Sequence, residues 1–206
     1  MSFFRDLRFF SRTSLGLWQG LNFRRGSKKA ITIFGSARLP QNHPFCEEAK
    51  KLSFELAKRG FSIVTGGGGA IMQAANEGAH QAGGESIGIN IDISLEHKLN
   101  PFVNKGIKSR YFFVRKVLLA RHSVAFIAFP GGFGTLDELF EIITLIQTQK
   151  TDDHPVILLH SEFWKGFLDW CKSVLIPAGM ITEKELARLR VVDRTDEALA
   201  ILAPLF

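Results

Sequence analysis

The sequence of 206 residues predicts a doubly wound α/β fold, a parallel sheet with helices on both faces, in a single domain. Three observations carry this prediction. From residue 30 onward, short runs rich in Val, Ile and Phe alternate with helical stretches. One run, VAFIAF (124–129), is apolar at every position, as befits a strand covered on both faces. Three of the runs end in small-residue turns, GSAR (35–38), GGGGAIM (66–72) and PGGFGT (130–135), at the strand ends where parallel sheets bind ligands.

The elements follow in order. AITIF (30–34) reads as a strand, then comes a loop holding Pro40 and Pro44 and a helix over 45–59. FSIVT (61–65) is the second strand, followed by the glycine tract and a helix through 81. SIGINI (86–91) is the third, and a loop of about 15 residues extends to 108. A helix over 112–122 leads into the strand 124–129, and a further helix runs from the PGGFGT turn to 149. PVILL (155–159) is a strand, and two or three helices surround RVV (190–192). No apolar run approaches the roughly 18 residues of a membrane span. Cys46 and Cys171 are widely separated and form no CxxC, so a reduced, cytoplasmic setting is expected, with no metal and no cofactor.

The formal charge of +6 is localised. Residues 1–29 hold Arg5, Arg8, Arg12, Arg24, Arg25, Lys28 and Lys29 against Asp6 alone, and the remaining 177 residues balance at 19 basic and 19 acidic side chains. The body therefore gives no electrostatic argument for nucleic acid. The basic, Phe-rich leader lacks the apolar core of a secretory signal and reads as an extension, flexible or loosely docked, in preference to a membrane contact or targeting segment.

Three glycine turns on strand ends suggest one shared anion or nucleotide site, because glycine admits close backbone approach and helix N-termini favour phosphate. No GxxxxGK[ST] occurs, and Asp137 stands where a GxGxxG would need its third glycine. The acids after PGGFGT admit two readings. Thr135 and Glu138 have the spacing of a capping box, and acids in a first turn complement the helix dipole. Beside an anion cradle, however, a carboxylate is repelled unless aimed elsewhere, and Glu138, Glu141 and Thr144 share one helical face. Upstream, Arg115 and Lys116 lie in YFFVRKVLLARHS, whose apolar surroundings favour a partly buried, anion-directed Arg115.

TGGGGAIMQAANEGA, SRYFFVRK and PGGFGTLDELFEIITLIQT together resemble the LOG (Lonely Guy) family, long labelled lysine decarboxylases, and especially its bacterial members. The family pattern PGGxGTxxE is complete from Pro130 to Glu138, and the likeness runs from about residue 30 to the C-terminus. The resemblance implies a Rossmann-like homodimer that hydrolyses the N-glycosidic bond of nucleoside 5′-monophosphates, AMP or a cytokinin nucleotide, to free base and ribose 5-phosphate. It implies Arg115 and Glu138 as the catalytic pair, and Gly131, Gly132, Gly134 and Thr135 as the phosphate cradle. Gly35, Ser36 and Gly68 join the nucleotide site, and Lys116, Glu96 and Thr144 fall where the family contacts substrate. Two departures stand out: the family's GGGPG or GGGSxG turn is Gly66-Gly-Gly-Gly-Ala70 here, and Val124 replaces the Asp of plant-like members. The latter favours general nucleotide hydrolysis over cytokinin specialisation.

Chemically, a fixed carboxylate at Glu138 would stabilise the oxocarbenium-like ribose and orient the attacking water, while Arg115 holds phosphate or ribose hydroxyls. Either Asp137 or water could protonate the leaving base. The competing class is a non-catalytic nucleotide or molybdenum-cofactor carrier, which would keep the turns without needing Arg115 and Glu138 together. A decarboxylase would need a pyridoxal phosphate site, and no lysine here flanks one.

Overall fold

A computed structural model of the chain describes residues 2–23, 29–91, 98–121 and 123–206. Seven parallel strands form one sheet in the order β4-β3-β2-β1-β5-β6-β7. They are β1 (Ala30–Phe34), β2 (Ser62–Thr65), β3 (Ser86–Ile91), β4 (Lys105–Ser109), β5 (Ser123–Ala128), β6 (Val156–Leu159) and β7 (Leu189–Val192). The helices are α1 (Ser2–Phe23), α2 (Pro44–Lys58), α3 (Ile71–Gln81), α4 (Phe112–Ala120), α5 (Phe133–Gln147), α6 (Ser161–Trp170), α7 (Glu183–Leu186) and α8 (Thr195–Leu202). The doubly wound, Rossmann-like fold is as expected.

Every residue of β1, β2, β3 and β6 is buried, because helices cover both faces of the sheet. One face packs Ile31, Ile33, Ile63 and Ile127 against Leu52 and Leu56 of α2, Ala75 of α3 and Leu202 of α8. The other packs Phe34, Val64 and Phe126 against Leu118 of α4, Leu139 and Ile142 of α5 and Trp164 of α6. From β1 the chain builds outward to β4, then crosses back so that β5 pairs with the free side of β1. The crevice between the carboxyl ends of β1 and β5 is the switch point of the sheet, where such folds bind ligands.

Three expectations need correction. The loop expected to reach 108 contains β4, paired in parallel with β3 from Ile87↔Lys105 to Ile91↔Ser109. Its sequence KGIKS hides the strand because an edge needs only one covered face and tolerates lysines that discourage further pairing. RVV, given no element, belongs to β7, the opposite edge. Finally, the leader forms the 22-residue helix α1 and docks on the β4–α4 flank. Leu17 and Phe23 pack on the adjoining core, Phe9 meets Tyr111 edge-on, and Gly16 and Gly20 face Val114 and Leu118. A Cβ at Gly20 would overlap the Leu118 side chain, so this glycine sets how closely α1 approaches α4. No helix among the described residues is long and apolar enough to cross a membrane.

Candidate active site

A cavity of about 460 Å³ opens at the β1/β5 switch point. Its walls are Gly35, Ser36, Ala37 and Arg38 after β1, Met72 of α3, Arg115 of α4, and Gly132 to Leu136 with Glu138 from α5. The three turns are tied together through one residue. The Ser36 N–H donates to the Pro130 carbonyl at 3.1 Å, and the Ser36 carbonyl accepts from Ile71 N at 3.2 Å. Gly35 must lack a side chain, since a Cβ there would collide with Ile71.

The glycines of PGGFGT have separate duties, none of them a positive φ. A Cβ on Gly131 would overlap Thr135 Oγ1, so Gly131 makes room for the buried Thr135 side chain. Gly132 and Gly134 face open space. They leave the start of α5 uncovered toward the cavity, where Phe133, Gly134 and Thr135 offer backbone N–H groups without intrahelical partners.

Neither structural explanation for the acids holds. Gly132 is the N-cap, with no side-chain cap, so Thr135 is already inside the helix and the Thr135–Glu138 capping box does not form. The first turn of α5 is free of acids, because the helix begins at Phe133 and places Asp137 and Glu138 in its second turn. The positive end of the helix is therefore left uncompensated beside the cavity, which suits an anion.

Glu138 instead faces Arg115. Arg115 Nη1 lies 3.2 Å from Glu138 Oε1, with side chains only 10% and 14% exposed. The guanidinium is also anchored from behind, Nε donating to the Ile89 carbonyl at 2.9 Å. Gly66 permits this seat, since a Cβ there would overlap Arg115 Nη2. The glycine tract thus serves the site mostly by backing the arginine.

Lys116 turns to the other side of α5, bonding Asp137 Oδ1 at 2.7 Å and Glu141 Oε2 at 3.0 Å. Burial alone would lower its pKa, but these two carboxylates outweigh it and the net shift is upward. Asp137 is thereby engaged outside the cavity wall. Thr144 stands two turns beyond Glu138, exposed, its hydroxyl donating to the Phe140 carbonyl at 2.7 Å. Glu96 lies outside the described residues.

Gly68 is held by a buried amide network that sequence reasoning missed. Asn100 Nδ2 donates to the Gly68 carbonyl at 3.0 Å and to Asn76 Oδ1 at 2.9 Å, and Asn76 Nδ2 donates to Ser86 Oγ at 2.8 Å. Thr65 Oγ1 completes it, donating to Asn76 at 2.6 Å and accepting from Gly67 N at 2.9 Å. Arg38 was also missed, although it ends the quoted GSAR and brings a second guanidinium to the cavity.

Ala70, at the N-cap of α3, has φ 50° and ψ −119°, a region that favours glycine. It occupies the position where the GGGPG form of the turn, named above, has its last glycine. Ala70→Gly is expected to stabilise the fold by about 1 kcal/mol, as relieved strain exceeds the added freedom of the unfolded chain. A lower denaturant midpoint in the variant would contradict this.

At the end of β6, His160 also adopts positive φ, 70°, and stacks on Phe45 with ring centroids 3.9 Å apart. Burial lowers its pKa, overriding the upward pull of Glu48 and Asp193, and His43 adds to the lowering. The unfolded chain therefore takes up a proton that the folded chain resists. Stability from this residue is present above its ordinary value of about 6.5 and declines as pH falls through it. His160→Asn, which tolerates the backbone, should flatten the slope of unfolding free energy against pH below about 6.5.

Fold and cavity together define a Rossmann-like α/β protein with a cavity at the switch point of its sheet. The family model described as "Possible lysine decarboxylase" matches residues 72–202. A cytokinin riboside 5′-monophosphate phosphoribohydrolase of Mycobacterium tuberculosis is 30% identical over 171 residues, covering 82% of this chain and 90% of that protein. The enzyme of the same name called LOG5, from Arabidopsis thaliana, is 32% identical over 142 residues, 68% of this chain and 62% of its own length. The chain belongs to the LOG family. Among solved structures, a molybdenum cofactor carrier protein of Chlamydomonas reinhardtii is similar at 25% identity and TM-score 0.61, covering 86% of this chain and 98% of that one. A molybdenum cofactor binding protein of Rippkaea orientalis shares the fold at 22% identity and TM-score 0.64, covering 87% and 98%.

Proposed function

We propose that this chain is a nucleoside 5′-monophosphate phosphoribohydrolase, cleaving the N-glycosidic bond of AMP or a related purine nucleotide. The observation that carries the reading is a single cavity joining an uncapped, acid-free helix N-terminus to a nearly buried Arg115–Glu138 pair. The names of the similar phosphoribohydrolases support the same reaction class. The phosphate sits on the N–H groups at the start of α5, with the Thr135 hydroxyl, Ser36 and Arg38 beside it. Arg115 hydrogen-bonds ribose hydroxyls or phosphate and fixes the sugar.

As the C1′–N bond breaks, its electron pair leaves with the base and positive charge grows on the ribose. Glu138 faces that charge and accepts a proton from the water whose oxygen bonds to C1′. A proton returns to the departing base from solvent, since Asp137 is tied to Lys116 outside the cavity wall. The product sugar is ribose 5-phosphate.

Exposed apolar side chains on α4 and α5, namely Phe112, Phe113, Val117 and Phe140, support a homodimer formed through these helices. The cofactor-carrier reading shares the fold and the turns, but it assigns no task to a carboxylate held against Arg115. Incubating the protein with a panel of purine nucleoside monophosphates, isoprenylated adenosine monophosphate included, and assaying free base tests the proposal. Tight binding without base release would sink it.

A further inference from the structure

The strongest unexplained surface is the outward side of α1. At about 100° per residue, Phe10, Leu21, Leu7 and Trp18 fall within one exposed arc, and Leu15 extends it to about 140° at the edge where α1 meets the β4–α4 turn. Their exposures are 68%, 36%, 52%, 63% and 53%. The opposite side of the helix already has its partners, Gly16 and Gly20 facing Val114 and Leu118, while Leu17, between that side and Phe10, packs on the same core. A helix that needed only to dock on the body would carry polar residues outward. Here the outward arc holds just Ser11, Ser14 and Asn22 among its large apolar side chains.

Charge says what covers this stripe. Arg5, Arg8 and Arg12 line one flank of it, Asp6 lies on the other, and Arg24, Arg25, Lys28 and Lys29 follow in sequence. The entire net charge of +6 is thus carried by the first 29 residues, while the rest of the chain is neutral. On the arginine flank, α1 and the β4–α4 turn enclose a cavity of about 250 Å³ whose walls include Arg12, Lys108, Arg110, Gln19 and Ser109. Pairing two copies through α1 would concentrate like charge at the contact. A lipid surface with anionic headgroups accepts the apolar stripe and the cations together.

We propose that α1 is a peripheral membrane anchor that lies flat on an anionic lipid surface. Phe10, Leu21, Leu7, Trp18 and Leu15 enter the boundary between headgroups and acyl chains, and the flanking arginines hold headgroup phosphates. The cavity beside Arg12, Lys108 and Arg110 receives one such phosphate. This reverses the preference drawn from composition, which favoured a loosely docked extension over membrane contact.

The test uses the full chain and vesicles of phosphatidylcholine alone, or mixed with phosphatidylglycerol in about equal parts. Co-sedimentation should be at least about tenfold stronger with the mixed vesicles, and should fall by a similar factor at about 0.5 M salt. Phe10→Ser combined with Trp18→Ser should lose about tenfold in vesicle binding with an unchanged circular dichroism spectrum, because both positions are exposed. Arg5→Gln, Arg8→Gln and Arg12→Gln together should remove the preference for phosphatidylglycerol. Failure of the wild-type chain to sediment with anionic vesicles would overturn the proposal. So would binding that ignores all of these substitutions, or light scattering that shows the apolar variant changing only the oligomeric state.

Discussion

Glu138→Gln is expected to reduce release of free base from AMP by about 10²–10⁴-fold, the range for removal of a positioned acid–base group. The amide cannot take a proton from water and presents no negative charge to the ribose carbon. Nucleotide affinity should be kept, because the proposed phosphate cradle at the start of α5 is one turn away and untouched. Capping gives no reason to expect a loss of stability, since Glu138 caps nothing. What the variant loses is the charge on one side of the contact with Arg115, and the Gln carbonyl can still accept from Nη1. A stability change of about 1 kcal/mol is expected. Steady-state kinetics should therefore show a fall in kcat with KM nearly constant. Wild-type turnover in the variant would remove Glu138 from the chemistry.

Arg115→Ala should act twice. It strands the Glu138 carboxylate in a site where the pair is mostly buried, and it leaves the Ile89 carbonyl without its donor. Breaking a pair of this kind costs about 3 kcal/mol, which denaturant unfolding will register. The same substitution removes the cation proposed to position the sugar, so catalysis should suffer even in the fraction that folds. Arg115→Lys separates the two effects. A lysine keeps the positive charge, and stability with it, but cannot reach Ile89 and Glu138 at once with a planar fork. Activity in the Lys variant should stay low while the unfolding midpoint recovers. An Arg115→Ala protein with unchanged midpoint and unchanged turnover would contradict both parts.

The elements best legible in sequence were those whose residues answer to one environment. β1 and β3 occupy the expected residues 30–34 and 86–91, because helices cover both their faces and every position must be apolar or small. β4 obeys a different rule, set by solvent along an edge, and its two lysines disguise it. α1 was illegible for another reason. Its largest apolar residues do share one arc at helical spacing, but a basic, Phe-rich, acid-poor segment at the start of the chain reads as a leader before that period is sought.

At the site, the pairing of Arg115 with Glu138 could be anticipated from the family resemblance, and the fold brings the two together. The capping box could not be dismissed in advance, since Thr135 and Glu138 satisfy its spacing and only the helix start at Phe133 excludes it. Asn76 and Asn100 carried no signal at all. Their value lies in contacts across 24 residues of sequence that no local pattern encodes.

The seam between β1 and β5 has a consequence for the order in which this protein becomes functional. Ala30 pairs with Ser123 and Phe34 with Ala128, so the two sides of the cavity come from distant stretches of chain. During synthesis, everything up to α4 can collapse into half a sheet, yet that half holds only Gly35 to Arg38, Met72 and Arg115 of the cavity wall and lacks the α5 terminus and Glu138. Competence then arrives in one late, long-range zippering step, the slowest kind of contact for a chain to make. On the proposed function, a nucleotide bridging the seam binds only the finished form, so that its concentration becomes a term in the stability of the protein.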